Sequence, residues 1–95
     1  MQPIDTDVLL VRGSDHVETL QNGQTLAMSL KHGKYFALRE TAQRVWELLE
    51  HPRSARELAA QLSQEYDAEP DQCLKDLGPF LSELKSFGLI KDHKP

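Results

Sequence analysis

Cys73 is the only cysteine in this 95-residue sequence, and paired with a histidine it would be the minimum equipment for nucleophilic catalysis. No acid or oxyanion motif accompanies it, and it falls on an apolar stripe, where a lone cysteine is ordinarily a packing residue. One cysteine also excludes an internal disulfide, CxxC redox chemistry and a multi-cysteine zinc site. The four histidines, His16, His32, His51 and His93, are scattered singly without a paired ligand spacing. We therefore expect no catalytic residue, no metal and no cofactor.

Charge narrows the classes further. Fifteen acidic against eleven basic side chains give a formal net charge of -4, which opposes docking on nucleic acid. The longest apolar run, Val8 to Val11, is far shorter than the roughly 20 residues of a membrane helix. The N-terminus Met1-Gln2-Pro3-Ile4-Asp5 lacks the basic and apolar pattern of a signal peptide, so the expected location is cytoplasmic. A chain of this length makes one domain, 1–95, with 1–7 and 91–95 expected as flexible ends. A core this small favours a shallow groove or a sheet edge over an enclosed cavity.

The elements that would build such a surface are legible from their periods. Val8 to Val11 is a short β-type stretch ending at the turn-forming Gly13-Ser14-Asp15, and it either stands as a separate strand or continues the next one through a bulge. Val17 to Gln21 and Gln24 to Leu30 flank Asn22-Gly23, the strongest short-range hairpin signal. Leu26, Met28 and Leu30 alternate with Thr25, Ala27 and Ser29, which predicts a sheet with one buried, apolar face. After Lys31-His32-Gly33, the segment Lys34 to Leu38 makes a third strand, closing an antiparallel meander.

From Thr41 the period becomes helical, with Ala42, Val45, Trp46, Leu48 and Leu49 on one side and a stop before Pro52. Ser54-Ala55-Arg56-Glu57 is a capping box for a second helix, whose stripe is Ala55, Leu58, Ala59 and Leu62. Pro70 opens a third helix running towards Gly88, with Gly78-Pro79 predicting either a kink or a restart. That helix carries two stripes: Leu74, Leu77, Leu81 and Leu84, and beside them Cys73, Phe80 and Phe87 at intervals of seven. One stripe suffices for a core, so the second either joins it or lines a groove. Leu89-Ile90 packs back onto the core, and Lys91 onward reads as a polar tail.

The expected class is thus α+β, a winged helix-turn-helix-like order of a three-stranded antiparallel sheet followed by three helices. Beyond the order, particular residues resemble the PqqD family of recognition elements for ribosomally made, post-translationally modified peptides. The resemblance runs from about Asn22 to Ile90 and is carried by Gly33-Lys34-Tyr35-Phe36-Ala37-Leu38 with Glu40-Thr41-Ala42, by Val45-Trp46-Glu47-Leu48-Leu49, and by Glu57-Leu58-Ala59, Tyr66-Asp67 and Leu81-Ser82-Glu83-Leu84 through Gly88-Leu89-Ile90. Two positions depart from the pattern. Arg39 stands where the family usually has a helix-capping Asn, and Pro79 interrupts the third helix.

The resemblance implies a non-catalytic chaperone that binds the leader of a precursor peptide as an added strand on the third strand. The implied contacts are Lys34, Tyr35, Phe36, Ala37, Leu38 and Arg39 on that strand, with Cys73, Asp76, Leu77, Phe80 and Leu84 on the third helix; Leu38, Trp46 and Leu81 are also expected core residues. The implied partner enzymes are a lasso-peptide protease of the cysteine type first and a radical SAM enzyme next, with the domain itself a monomer or weak dimer. The basic cluster Lys31, Lys34, Arg39 and Arg44 is a candidate for steering an acidic leader segment. Two alternatives come from other classes. A winged-helix DNA-binding regulator fits the element order, although Asp71, Asp76 and Glu83 against a central Lys75 make the third helix a poor reader of DNA. A homodimerising adaptor would pair the same sheet edge with its own copy.

Overall fold

The computed structural model describes residues 5–94. Nine elements follow one another: β1 (Leu9–Arg12), β2 (His16–Gln21), β3 (Gln24–Ser29), β4 (Tyr35–Leu38), α1 (Thr41–Leu48), β5 (Arg53–Ser54), α2 (Ala55–Tyr66), α3 (Pro70–Ser86) and β6 (Ile90–Asp92). The α+β class and the antiparallel meander are as the sequence predicts, with order β2-β3-β4. A helix-turn-helix describes the rest only loosely, because β5 lies between α1 and α2 and belongs to a second antiparallel sheet of order β5-β1-β6.

That second sheet resolves the status of the first apolar stretch. Leu9 to Arg12 is a separate strand, pairing with Arg53–Ser54 on one side and with Ile90–Asp92 on the other. Lys91 and Asp92 therefore belong to a strand and not to the expected tail, and Lys85 forms an ion pair with Asp92 at 2.8 Å. The start of the chain is held as well: Arg56 bonds the Thr6 carbonyl and hydroxyl and the Asp7 carboxylate. Residues 1–4 and 95 of the expected flexible ends lie outside the described residues.

The core gathers Leu10, Leu38, Val45, Trp46, Leu49, Leu58, Leu62, Leu81, Leu84, Leu89 and Ile90, confirming Leu38, Trp46 and Leu81 as packing residues. Arg12 couples the two sheets to α1. Its guanidinium lies 4.8 Å from the Trp46 ring centroid and donates two bonds, 2.9 and 2.7 Å, to the Trp46 carbonyl, so cation–π attraction and hydrogen bonding act on one residue.

The alternation of β3 runs opposite to expectation. Thr25, Ala27 and Ser29 face the core, whereas Leu26 and Met28 lie half-buried on the outer face and Leu30 is exposed beyond the strand. Small inward residues let the helical layer come close: Ser29 Oγ donates to the Phe87 carbonyl at 2.7 Å, tying the sheet to the end of α3. Apolar pattern alone predicts the reverse, because it does not register how little room the inner face has.

The helices start and stop by local rules. The Ser54–Glu57 capping box is formed in both directions, at 3.1 and 2.9 Å, a device worth about 1 kcal/mol. In α3, Pro79 sits inside one helix of 17 residues, so no restart occurs. Gly78 contributes to this, since part of the clash that excludes helical geometry before proline involves a Cβ that glycine lacks.

The start of α1 has no such help. Arg39 offers no cap, its carbonyl accepts instead from the Ala42 amide at 3.0 Å, and Glu40 is forced to φ 54°, ψ -120° with no side-chain cap bond. That backbone corner suits glycine and costs other residues about 1–3 kcal/mol. Glu40→Gly is expected to stabilise the domain by about 1 kcal/mol, read as a rise in the urea midpoint at unchanged slope.

Candidate peptide-binding groove

In β4 the backbone divides by parity. The Ser29 amide donates to the Lys34 carbonyl at 2.8 Å, and the register then pairs Ala27 with Phe36 and Thr25 with Leu38 as the residues turned toward β3. The amides and carbonyls of Tyr35 and Ala37 point the other way, to an edge that no other described strand occupies. Lys34 to Leu38 thus offers unpaired main-chain donors and acceptors at the spacing an extended strand requires.

Side chains of the same strand alternate between two surfaces. Phe36 and Leu38 turn toward the helices; Tyr35 and Ala37 are exposed on the outer side of the meander. Phe36 packs on Phe87 with ring centroids 5.2 Å apart, and Lys34 Nζ sits 5.1 Å from the Phe87 centroid. These three residues form a cluster where β4 meets the C-terminal end of α3.

Between the three helices lies a separate cavity of about 290 Å³ lined by Thr41, Ala42 and Val45 of α1, Leu62 and Tyr66 of α2, Ala68, and Cys73, Asp76, Leu77 and Phe80 of α3, with no β4 residue in its wall. Four of the expected helix contacts therefore line one mostly apolar cavity, with Asp76 its single carboxylate. Asp76 also accepts from Gln72 at 2.9 Å, which orients it along the helix surface. In α3, Leu77, Leu81 and Leu84 are buried and Leu74 is half-buried, as are Cys73, Phe80 and Phe87 of the second stripe, of which Cys73 and Phe80 pack against the core.

Several expectations are corrected by this geometry. Leu84, 1% exposed, and Leu38, 2% exposed, are core side chains that a guest cannot touch without rearrangement. The side chains of Tyr35 and Ala37 do not turn toward the helices, because strand alternation puts them on the opposite face from Phe36. Arg39 is exposed beside a separate hollow with Gln24, Leu26 and Ala37. Arg44 does not join a basic steering cluster: Glu65 holds it through three bonds of 2.7–3.0 Å and Glu47 through one of 3.3 Å. Lys31, Lys34 and Arg39 remain exposed.

The cavity-lining roles of Thr41, Leu62, Tyr66 and Ala68 are not apparent from sequence, since they come from three segments that meet only in the folded domain. Phe87 did carry a signal, as the third member of the seven-residue repeat.

Among the described residues no group of three or more His, Cys, Asp or Glu is placed to hold a metal, and no helix is long and apolar enough to cross a membrane. Together these features define a small α+β domain with an open strand edge and a mostly apolar cavity between its helices. The family model described as coenzyme PQQ synthesis protein D (PqqD) matches residues 24–90. The chain belongs to the PqqD family, as a PqqD-like recognition element.

Two solved structures share its fold. One, described as TbiB1 in complex with the TbiA(beta) leader peptide, is 24% identical with a TM-score of 0.76, the match covering 90% of this chain and 99% of that one. The other is the solution structure of the PqqD truncation of Methylobacterium extorquens PqqCD, described as a functional and stand-alone recognition element; it is 18% identical with a TM-score of 0.73, covering 93% and 94%. No curated protein matches the chain.

The Arg44–Glu65 pair joins α1 to α2 beside Tyr66 at the cavity wall. Arg44's hydrogen bonds, and then Gln61's, push the Glu65 carboxyl from 4.5 down to about 2. A depressed carboxylate contributes stability that is present above its unfolded value and lost as pH falls through its folded one. Wild type is expected to exceed Glu65→Gln in stability above pH 4.5 and to lose that advantage toward pH 2, measured as urea midpoints across the range.

Proposed function

We propose that this chain is a non-catalytic recognition element that captures the leader of a ribosomally made precursor peptide as a fourth strand on the meander and delivers it to a modifying enzyme. The observation that carries the reading is the open edge at Tyr35 and Ala37, in a domain whose helices also frame a mostly apolar cavity of about 290 Å³. Main-chain bonds to the edge supply sequence-independent affinity, and alternate guest side chains turned toward the helices supply selectivity. An apolar or aromatic side chain suits the cavity, with Asp76 available to accept a bond from a polar tip.

Membership of the PqqD family supports this reading, as does the leader peptide in the TbiB1 structure. In it, Lys34, Phe36, Cys73, Asp76, Leu77 and Phe80 contact the guest through side chains. Tyr35, Ala37 and Arg39 contribute through main chain or outer face, and Leu38 and Leu84 support the site from within. The proposed partner is a cysteine-type lasso-peptide protease, with a radical SAM enzyme next. The whole chain acts as one cytoplasmic domain, a monomer or weak dimer, without cofactor or nucleic acid.

Two substitutions test the geometry against fluorescently labelled leader peptides taken from short open reading frames that neighbour the gene for this chain. Ala37→Pro deletes a donor that faces outward while leaving the bonds to β3 in place, so affinity is expected to fall at least tenfold, about 1.4 kcal/mol. Phe80→Asp puts a charge into the cavity wall and is expected to abolish binding with the helical circular dichroism preserved. Unchanged affinity in Ala37→Pro, with its fold intact, would show that the peptide docks elsewhere.

A further inference from the structure

Charge is unevenly placed along this chain. Between Glu18 and Glu40 the sequence holds no acidic residue and three basic ones, Lys31, Lys34 and Arg39, although the chain as a whole carries a formal net charge of -4. That stretch contains β3, β4 and the turn joining them, and hence the open edge. Arg12, Arg44, Arg56 and Lys85 each sit in an ion pair. Lys31, Lys34 and Arg39 are exposed and, among the described residues, belong to none, and Glu40 makes none with its neighbour Arg39. Positive charge without a partner thus stands at both ends of the strand whose edge is open.

The two ends present their charge on different faces. Lys34 shares the parity of Phe36 and Leu38, and its ammonium sits 5.1 Å from the Phe87 ring centroid, on the helix side. Attraction to the ring holds the charge there and leaves its N–H donors to solvent. Arg39 shares the parity of Tyr35 and Ala37 and lies on the outer side, beside Gln24, Leu26 and Ala37. Five strand positions separate Lys34 from Arg39, about 17 Å at the rise of a β-strand. A strand laid on this edge in either direction has one residue opposite each of them, five positions apart and on opposite faces. The four residues between, Tyr35 to Leu38, carry no charge.

We infer that the edge of β4 selects an acidic guest: an extended peptide with one carboxylate on the helix side opposite Lys34, a second five residues away on the outer face opposite Arg39, and uncharged residues between. This inference rests on the capture reading and adds to it the charge pattern of the peptide, which main-chain bonding does not read. Complementary charge draws such a guest to the meander while the acidic remainder of the domain repels it from other surfaces, a steering effect that salt weakens. Exposed ion pairs are weak, about two- to fivefold in affinity each. They therefore choose among peptides that the edge already accommodates. Lys31, in the turn beyond Lys34, adds to the same field.

The experiment pans the full chain against a display library of random peptides and titrates the enriched sequences by fluorescence. Guests that Ala37→Pro releases are expected to be enriched in pairs of Asp or Glu five positions apart. Replacing both acids of such a guest by Asn or Gln is expected to weaken binding about tenfold at low ionic strength, and by much less in about 0.5 M sodium chloride. Lys34→Glu combined with Arg39→Glu is expected to turn the selection toward Lys and Arg at the same spacing, with circular dichroism unchanged. Lys91→Glu removes an exposed cation from β6, in the other sheet, and is expected to leave affinity within about twofold. Edge-dependent guests without acidic preference would overturn the inference and leave the capture reading standing, as would an unchanged selection in the doubly reversed variant. Displacement of the guest by duplex DNA at equal concentration would overturn it as well, by assigning the cations to phosphate. Guests that bind Ala37→Pro as tightly as wild type remove the capture reading, and this inference with it.

Discussion

A β-strand at a sheet edge is hydrogen-bonded on one side only, and β4 is such a strand, its helix-facing Phe36 meeting Phe87 at the end of α3. The inward groups of Lys34, Phe36 and Leu38 hold the strand to β3, and the outward groups of Tyr35 and Ala37 are left to water. Exchanging water for a guest strand is worth only about 0.5–1.5 kcal/mol per bond, so the edge supplies geometry and modest affinity in equal measure. It also prescribes, by parity, which guest residues turn toward the helices and which stay visible. In the proposed function both selectivity and delivery follow from that one division.

The division works because the inner side of the sheet is thin. Thr25, Ala27 and Ser29 project little volume, so the helical layer can sit close enough for Ser29 to bond the Phe87 carbonyl and for Phe36 to meet the Phe87 ring. Larger inward residues would lift α3 away and break both contacts. The same constraint displaces Leu26 and Met28 outward.

Helix α3 carries its two duties on adjacent stripes. Leu81 and Leu84 close the core and Leu77 serves both core and cavity wall, while Cys73 and Phe80, one step round the barrel, line the cavity half-buried and Phe87 meets Phe36. Arg12 holds α1 from the opposite side through the carbonyl and ring of Trp46, and Glu65 holds it through Arg44. The wall made by Thr41, Ala42 and Val45 is therefore fixed at both flanks, although its first turn begins at the strained Glu40 backbone. The strained residue lies between β4 and the cavity wall.

The amino-acid sequence by itself determined the elements whose cause is local. The Asn22-Gly23 hairpin, the capping box at Ser54, Pro70 at the first turn of α3 and the seven-residue repeat on that helix all depend on neighbours within a turn or two, and each appears as expected. The family resemblance was legible for the same reason, in short ordered motifs. Tertiary structure alone decided the rest. Residues from α1, α2 and α3 had to meet before a cavity existed, and Arg44 lost its steering role only when Glu65, distant in sequence, came within bonding distance. Which face of β3 turned inward depended on the space beneath the sheet, and the pairing of Leu9 to Arg12 depended on two strands contributed from far along the chain. Period and propensity report a residue's preference, whereas volume and partner availability, set by the whole fold, decide which preference is met.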